Sequence, residues 1–259
     1  MAGRIGFIRL SSMAPLTRHD LEIAERSLGD VSMHGRGANL APVVPAPWRI
    51  LIHGWACRSR QLADGRRQIF AFLLPGDIVG LAAGGQPTEI CSVTTLTPAS
   101  TVYLGGLRDR LAQDRHGTAG LERAVEAYVR ASEAQLLDHM VRIGSQTAYQ
   151  AIGHLFLELH ERLEAVDLAR NGRFRLPVGQ RVLAEALGIS GVHVNRVLRD
   201  LRQDGLVKSD AGWIELMDSQ RLAQISEYAP RTRPRMAAAA TSPEATVRQA
   251  WTADGAGRA

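Results

Sequence analysis

The residues with the clearest chemical potential lie near the C-terminal end of the chain, in the stretch VLAEALGISGVHVNRVLRDLRQDGL that starts at Val182. Asn195, Arg196 and Arg199 recur there at intervals that place them on one side of a helix. An arginine can bind guanine O6 and N7 with two hydrogen bonds, and an asparagine can bind the edge of adenine in the same way. Val192, one turn earlier, could contact a thymine methyl group. We interpret this face as a candidate DNA-reading surface.

The same spacing has a simpler explanation, because any amphipathic helix exposes a polar face to solvent. Local charge favours DNA. Between Arg173 and Lys208 the chain has seven basic and three acidic residues, a local excess of +4 in a chain of formal net charge +5. Proteins that neutralise phosphates need such an excess. His193, at the border of the polar face, could reach a base or a phosphate.

Two short helices must position this face. Gly188 can adopt a positive φ and end the first helix, Ile189 follows as an apolar plug, and Ser190 is a good N-cap for the second. The apolar residues with helical spacing are Val182, Leu183, Ala186 and Leu187, and then Val194, Val197, Leu198 and Leu201. This pattern predicts a helix-turn-helix. A predicted β-hairpin follows, with its turn at Ala211-Gly212 and strand residues such as Trp213, which is typical of the wing of a winged helix.

Length and composition limit the class of protein to which the rest of the chain can belong. The chain has 259 residues, 45% of them hydrophobic, so a sizeable core is available. It has no run of about eighteen apolar residues and no apolar leader, so neither a membrane span nor a secretory signal is expected. Cys57 and Cys91 are too few for a disulfide framework, and we expect a reducing cytoplasm. The sequence contains no P-loop, GxSxG or HExxH motif and no paired carboxylates, so nothing in it indicates an enzyme.

The chain divides into segments of an α+β protein. The predicted order is an N-terminal helical segment (residues 1–30), a β-roll (31–116), a long helix (117–144), a winged helix-turn-helix (145–228) and a disordered tail (229–259). In the first segment, Thr17 could cap a helix from about Leu16 to Leu28. Short β-forming runs broken by turns predict the double-stranded, jelly-roll-like β-roll. The turn signals are Asp64-Gly65, Pro75-Gly76-Asp77 and Gly84-Gly85.

The segment from Thr118 to Ile143 should form one long helix, since good helix formers dominate it. A four-three rhythm runs through Leu121, Val125, Tyr128, Ser132, Gln135 and His139. This rhythm has two equal interpretations: a coiled-coil dimer seam, or a helix packed on its own domain. A richer apolar stripe follows at Leu136, Leu137, Met140 and Ile143. A further helix from about Gln146 to Ala165 and a turn at Asn171-Gly172 lead into the helix-turn-helix.

This order of segments resembles the Crp/Fnr family of bacterial transcription regulators over about residues 16–228. The most specific stretches are GWACRSRQLADGRRQIFAFLLPGDIVGL from Gly54 and GRFRLPVGQRVLAEALGISGVHVNRVLRDLRQDGLV from Gly172. The resemblance implies a homodimer that pairs through the long helix and places one recognition helix in the major groove of each half of a palindromic site. It implies that the β-roll senses a signal and contacts RNA polymerase.

The resemblance also implies roles for residues. Ser190, Val192, Asn195 and Arg196 match positions that meet bases or phosphates, and Arg196 matches the guanine-reading arginine. Val192 stands where the best-known members have glutamate, so their half-site sequence does not carry over. The complete candidate DNA-contacting set is Arg173, Gln180, Arg181, Ser190, Val192, His193, Asn195, Arg196 and Arg199.

The signal is not identified by the sequence. Cyclic-nucleotide-binding members need a glutamate and an arginine after the PGD turn. Here Gly80 matches the glycine of that cassette, but Leu81 and Glu89 stand at the glutamate and arginine positions, so cyclic AMP is not expected to bind in the usual mode. Two cysteines cannot hold a four-cysteine iron–sulfur cluster. His53 and Cys57, four residues apart, would share one strand face as a weak haem or redox signal. A winged helix that binds protein is the other alternative, although it needs neither Arg196 nor the local charge.

Overall fold

The computed structural model describes residues 4–42, 46–81, 91–114 and 117–230. The predicted Gly84-Gly85 turn, Glu89 and nearly all of the predicted tail lie outside these residues. The helices are α1 (Arg4–Met13), α2 (Arg18–Arg26), α3 (Gly105–Gln113), α4 (Ala119–Gly144), α5 (Ala148–Glu164), α6 (Gln180–Leu187), α7 (Gly191–Gln203) and α8 (Ser219–Ile225). In the described ranges no helix is both long enough and apolar enough to span a bilayer.

The first half of the chain forms two facing antiparallel sheets. Their strands are β1 (Val31–His34), β2 (Arg49–His53), β3 (Ala56–Gln61), β4 (Arg67–Leu73), β5 (Ile78–Val79), β6 (Ser92–Thr95) and β7 (Ala99–Tyr103). One sheet has the order β1-β7-β2-β5 and the other β4-β3-β6. Leu51, Leu73 and Val93 pack in the layer between them. The Asp64-Gly65 turn joins β3 to β4, with Gly65 at φ 84°, which confirms that predicted hairpin.

Helices cover the outer face of the first sheet. The predicted capping of α2 is confirmed, because the Thr17 side chain accepts from the Asp20 backbone and Asp20 accepts from the Thr17 backbone. Two of these helices were not predicted, and neither was α8 at the end of the winged helix-turn-helix. In α1, Phe7, Arg9 and Leu10 are all buried, so no one-sided stripe marks this helix in the sequence. In α3, the opening Gly105-Gly106 resembles a turn, although α3 falls inside the segment predicted as β-roll.

The long helix is confirmed as α4. The burial of its side chains bears on the two interpretations of the four-three rhythm. Leu121, Tyr128 and His139 are buried inside this chain, whereas Val125, Ser132 and Gln135 are half-buried, so half of the four-three rhythm packs on its own domain. The side chains left exposed are those of Leu137, Met140, Val141 and Ile143. The apolar stripe at the end of α4 is therefore the part that this chain does not cover.

The C-terminal elements form a winged helix-turn-helix. The predicted helix after Gln146 is α5, capped by Thr147. A sheet of order β10-β11-β9-β8 follows, from β8 (Ala169–Arg170), β9 (Arg173–Arg175), β10 (Val207–Asp210) and β11 (Trp213–Leu216). One apolar cluster joins these elements to Trp55, Ile69 and Phe72 of the β-roll. The α+β class, the β-roll, the long helix and the winged helix-turn-helix are thus as predicted.

Candidate nucleic-acid interface

The turn between α6 and α7 is built by three consecutive residues. Gly188 lies in the left-handed region at φ 67° and ψ 24°, and its N–H donates to the Ala184 carbonyl. The Ile189 N–H donates to the same carbonyl at 3.3 Å, and Ile189 packs on the core. Ser190 is extended, and its Oγ accepts from the His193 N–H at 3.2 Å. This sequence of conformations ends one helix and begins the next at a fixed angle.

The apolar sides of both helices are buried as predicted. Val194 and Leu201 are fully buried under α7, and Leu183 and Leu187 under α6. Ala184 is buried as well, and its small side chain suits the close crossing of the two helices. Because one side of α7 is held in the core, its opposite side is fixed in its direction.

That opposite side is fully presented to solvent. Val192 is 84% exposed, and Asn195, Arg196 and Arg199 are exposed with it. His193 is half-buried at the border. The Arg199 Nε lies 3.9 Å from Asp200 Oδ1, which partly engages that guanidinium. Among the described residues Arg196 has no ion pair, so its guanidinium is available for a base edge.

The N-terminus of α6 carries two more candidates. Gln180 and Arg181 are both exposed in its first turn, and the Arg181 Nε lies 3.2 Å from Glu185 Oε1. The other Glu185 oxygen accepts from Arg67 Nε of strand β4 at 2.9 Å. Glu185 therefore partly neutralises Arg181 and also ties α6 to the β-roll. Gly179 caps α6 without a side-chain hydrogen bond.

The wing places Arg175, which the sequence interpretation did not include in the site, beside the predicted Arg173. The guanidinium of Arg173 stacks over the Trp213 ring at 4.5 Å from its centroid, and that of Arg175 lies 5.9 Å away. Both arginines are exposed, whereas Phe174 between them is fully buried. The sequence RFR could have indicated this, because successive side chains of a strand point to opposite faces, and a buried phenylalanine therefore leaves both arginines exposed. The Arg202 Nη1 donates to Ser209 Oγ at 3.0 Å and links α7 to the wing.

A cleft lies between the β-roll and α4. Gly80 has φ 86°, and a Cβ there would lie 2.5 Å from the Pro47 carbonyl oxygen, so glycine is required. Leu81, Arg58, Cys91, Tyr128 and Ser132 are among the residues that line the cleft. Burial raises the pKa of Tyr128, whose hydroxyl accepts from the Ile78 N–H at 2.9 Å.

The proposed sharing of one strand face by His53 and Cys57 is wrong. His53 ends β2 and Cys57 lies in β3, because Gly54 at φ 83° turns the chain between them. Cys57 is fully buried, and burial raises the pKa of its thiol. In the described ranges no group of three metal-ligating side chains comes together.

Comparison with known proteins gives consistent matches. The sequence model of the Crp-like helix-turn-helix domain matches residues 150–225. The chain is 30% identical over 168 residues to the nitrogen fixation regulation protein FixK of Rhizobium meliloti (strain 1021), a match that covers 64% of this chain and 72% of that protein. It is 26% identical over 176 residues to the transcriptional activator protein FnrA of Stutzerimonas stutzeri, covering 68% and 71% respectively.

The solved structure of FixK2 from Bradyrhizobium japonicum superposes with a TM-score of 0.65 at 26% sequence identity. The match covers 77% of this chain and 98% of that chain. The two relatives named above are a nitrogen fixation regulation protein and a transcriptional activator protein. The domain match falls on the elements that present Arg196. With its helix-turn-helix, its β-roll and these relatives, the chain belongs to the Crp/Fnr family of DNA-binding transcription regulators.

Proposed function

We propose that the protein binds a twofold-symmetric promoter site as a homodimer, with one recognition helix α7 in each major groove. The observation that carries this proposal is Arg196, which is exposed and has no ion pair with any described residue, in the middle of a helix whose other side is buried. Arg196 reads a guanine, Asn195 and Val192 contact neighbouring bases, and His193 reaches the edge of the same site. Ser190, at the start of α7, meets a phosphate or a base.

The phosphate contacts surround this reading face. Arg199 extends them along α7, and Arg173 extends them from the wing. Gln180 and Arg181 start α6, where the first backbone amides and the helix dipole favour an anion. These side chains fix the position of the protein on the duplex, while the base contacts choose the sequence.

The second copy is expected to pair along the exposed end of α4. Leu137 is 57% exposed and Met140 64%, which is unusual for two large apolar residues one turn apart. Both lie on the side of α4 that faces away from the β-roll. Pairing of two such helices buries both stripes and relates the two recognition helices by a twofold axis. The half-sites would then lie about 34 Å, or one helical turn, apart.

We further propose that the β-roll contacts RNA polymerase, as its similarity to a named activator suggests, and that the protein acts in the cytoplasm where promoter DNA is found. Cyclic AMP is not its effector in the usual mode, because Leu81 offers no acceptor for a ribose hydroxyl. The effector is left unassigned. A calorimetric titration with cyclic AMP should give no heat of binding at millimolar ligand.

The function is tested by selecting DNA from a random pool with the purified protein, and by measuring its mass in solution by light scattering. We expect a twofold-symmetric motif with half-site centres about 10 base pairs apart, bound by a dimer. Enrichment of no motif, or of a single asymmetric half-site by a monomer, would contradict the proposal.

A further inference from the structure

Five charged side chains meet in the interior of the molecule, where charges are rarely found unless they are paired. None is more than 6% exposed. They come from α1, from the turn between β4 and β5, from the last turn of α4 and from α5. These residues, called the Arg162 network below, are Arg9, Asp77, Arg142, Glu158 and Arg162.

Arg162 is the centre of this network. Its Nη2 donates to Asp77 Oδ2 at 2.6 Å and to the Phe72 carbonyl at 2.8 Å. Its Nη1 donates to Glu158 Oε1, one turn earlier on α5, at 3.0 Å. Asp77 also accepts from the Leu74 N–H at 2.7 Å. The fork of one guanidinium thus joins α5 of the DNA-binding unit to the β4–β5 turn of the sensor unit.

The two ends of the network reach further elements. The Arg9 Nε of α1 lies 3.6 Å from Asp77 Oδ1. The second oxygen of Glu158 accepts from Arg142 Nη2, at the point where α4 gives way to α5. A separate contact fixes α6, where Arg67 binds Glu185 and Gln68 Nε2 donates to the Ala186 carbonyl at 3.2 Å.

Such a network contributes more to fixing one geometry than to the free energy of folding. Removing charges from water costs so much that a buried ion pair is often no more stable than an apolar replacement. Loss of one partner, however, strands a buried charge and is strongly destabilising. A rotation of α5 over the β-roll would separate Arg162 from Asp77 and from the Phe72 carbonyl together. The orientation in this structure keeps each of these charges paired.

We propose that the Arg162 network sets the orientation of the helix-turn-helix unit on the β-roll, so that Arg162 and Asp77 are positioning residues for DNA binding. The proposal rests on the twofold-symmetric DNA site proposed above. In a dimer, the angle of each unit determines the separation and rotation of the two recognition helices. A base-pair insertion rotates one half-site by about 36°, so the spacing of half-sites measures this orientation directly.

The test compares Arg162→Met with the wild type on a series of DNA sites whose spacer is lengthened or shortened by one and two base pairs. Arg18→Met is the matched control, because Arg18 forms an exposed ion pair with Glu22 at 3.2 Å. We expect the wild type and the control to prefer one spacing by about tenfold or more. Arg162→Met should lower that preference to about threefold or less. Affinity for a single half-site should stay within about twofold, which a general loss of fold would not allow.

Arg162→Lys keeps the positive charge but loses the forked donor geometry of the guanidinium, so it is the test variant if Arg162→Met does not fold. It should weaken the spacing preference by at least about threefold. An unchanged preference in a folded Arg162 variant would overturn the positioning role. Failure of the wild type to bind any two-half-site DNA would instead contradict the proposed function.

Discussion

At the scale of single residues, the proposal assigns different roles in DNA recognition to Arg196 and to its neighbours. Arg196 extends from a helix whose underside, including Val197, is buried, so its guanidinium starts from a fixed base. Arg199 and Arg173 are also exposed, but each already interacts within the protein, with Asp200 and with Trp213 respectively. A base-reading role suits Arg196, which has no ion pair within the described part of the chain, and phosphate roles suit the other two.

Arg196→Ala should weaken binding to the selected DNA site by about 1–3 kcal/mol and relax base choice at one position of each half-site. The reason is the loss of two hydrogen bonds to a guanine edge. A mobility-shift titration against sites substituted at every position measures both effects. Equal affinity of wild type and variant, with the same base preferences, would show that Arg196 does not read DNA.

Arg173→Ala and Arg199→Ala should weaken binding to all sequences alike and should each reduce the slope of log K against log salt by about one. The physical reason is that one fewer counterion is released for each lost phosphate contact. Arg108→Ala is the control, because Arg108 is exposed on α3, outside the DNA-binding unit. Salt slopes that match the control would exclude phosphate contacts for that residue.

At the scale of elements, α4 has two different apolar surfaces. One packs on the β-roll through Leu121 and Tyr128, and the other is exposed at Leu137, Met140 and Val141. The sequence rhythm suggested that the first surface could be the dimer seam. Of its polar members, His139 is buried in the chain's own interior, and the hydroxyl of the half-buried Ser132 donates to the Tyr128 carbonyl at 2.9 Å.

Leu137→Glu should convert the dimer to monomers at micromolar concentration, because it places a charge in an apolar contact that the second copy would bury. Binding to the two-half-site DNA should fall by about a hundredfold as the second recognition helix is lost. Met33→Glu is a matched control, since Met33 is 79% exposed on the distant strand β1. A Leu137→Glu protein that remains dimeric in analytical ultracentrifugation would place the interface elsewhere.

At the scale of the whole molecule, the buried charges and histidines link folding to pH. Burial, with help from Arg142, lowers the pKa of His139 to about 4. Burial alone would raise the pKa of Glu158, but Arg142 and Arg162 outweigh it and lower this pKa below its usual value. Both groups therefore bind protons less readily in the folded protein than in the unfolded chain.

The free energy of unfolding should fall as the pH drops below about 6.5, because His139 then binds a proton in the unfolded chain but not in the folded protein. The loss from His139 is about 2 kcal/mol at pH 5. Loss of the Glu158 contribution follows below about pH 4.5. Urea unfolding at pH 7 and pH 5 measures the difference.

His139→Gln removes this titration and should reduce the difference in the free energy of unfolding between pH 7 and pH 5. His19→Gln is the control, because His19 is exposed on α2 and should leave the difference unchanged. A His139→Gln protein with the full pH dependence of the wild type would show that other groups are responsible.

Local rules determined much of this protein from the sequence alone. A glycine that must turn the chain, a serine cap and the periodic apolar residues of α6 and α7 specify the helix-turn-helix, because each acts within a few residues. The same holds for the Asp64-Gly65 hairpin and for the length of α4. The exposure of the proposed DNA-reading face follows from that periodicity.

Only the tertiary structure decided which distant residues meet. Asp77 and Arg162 are far apart in the chain, and neither an apolar period nor a cap marks them as partners. The stacking of Arg173 on Trp213 depends on the pairing of β9 with β11. The burial of α1 and the exposure of Leu137 likewise depend on what packs on each face. Such contacts arise from the arrangement of whole elements in space, which short-range spacing does not encode.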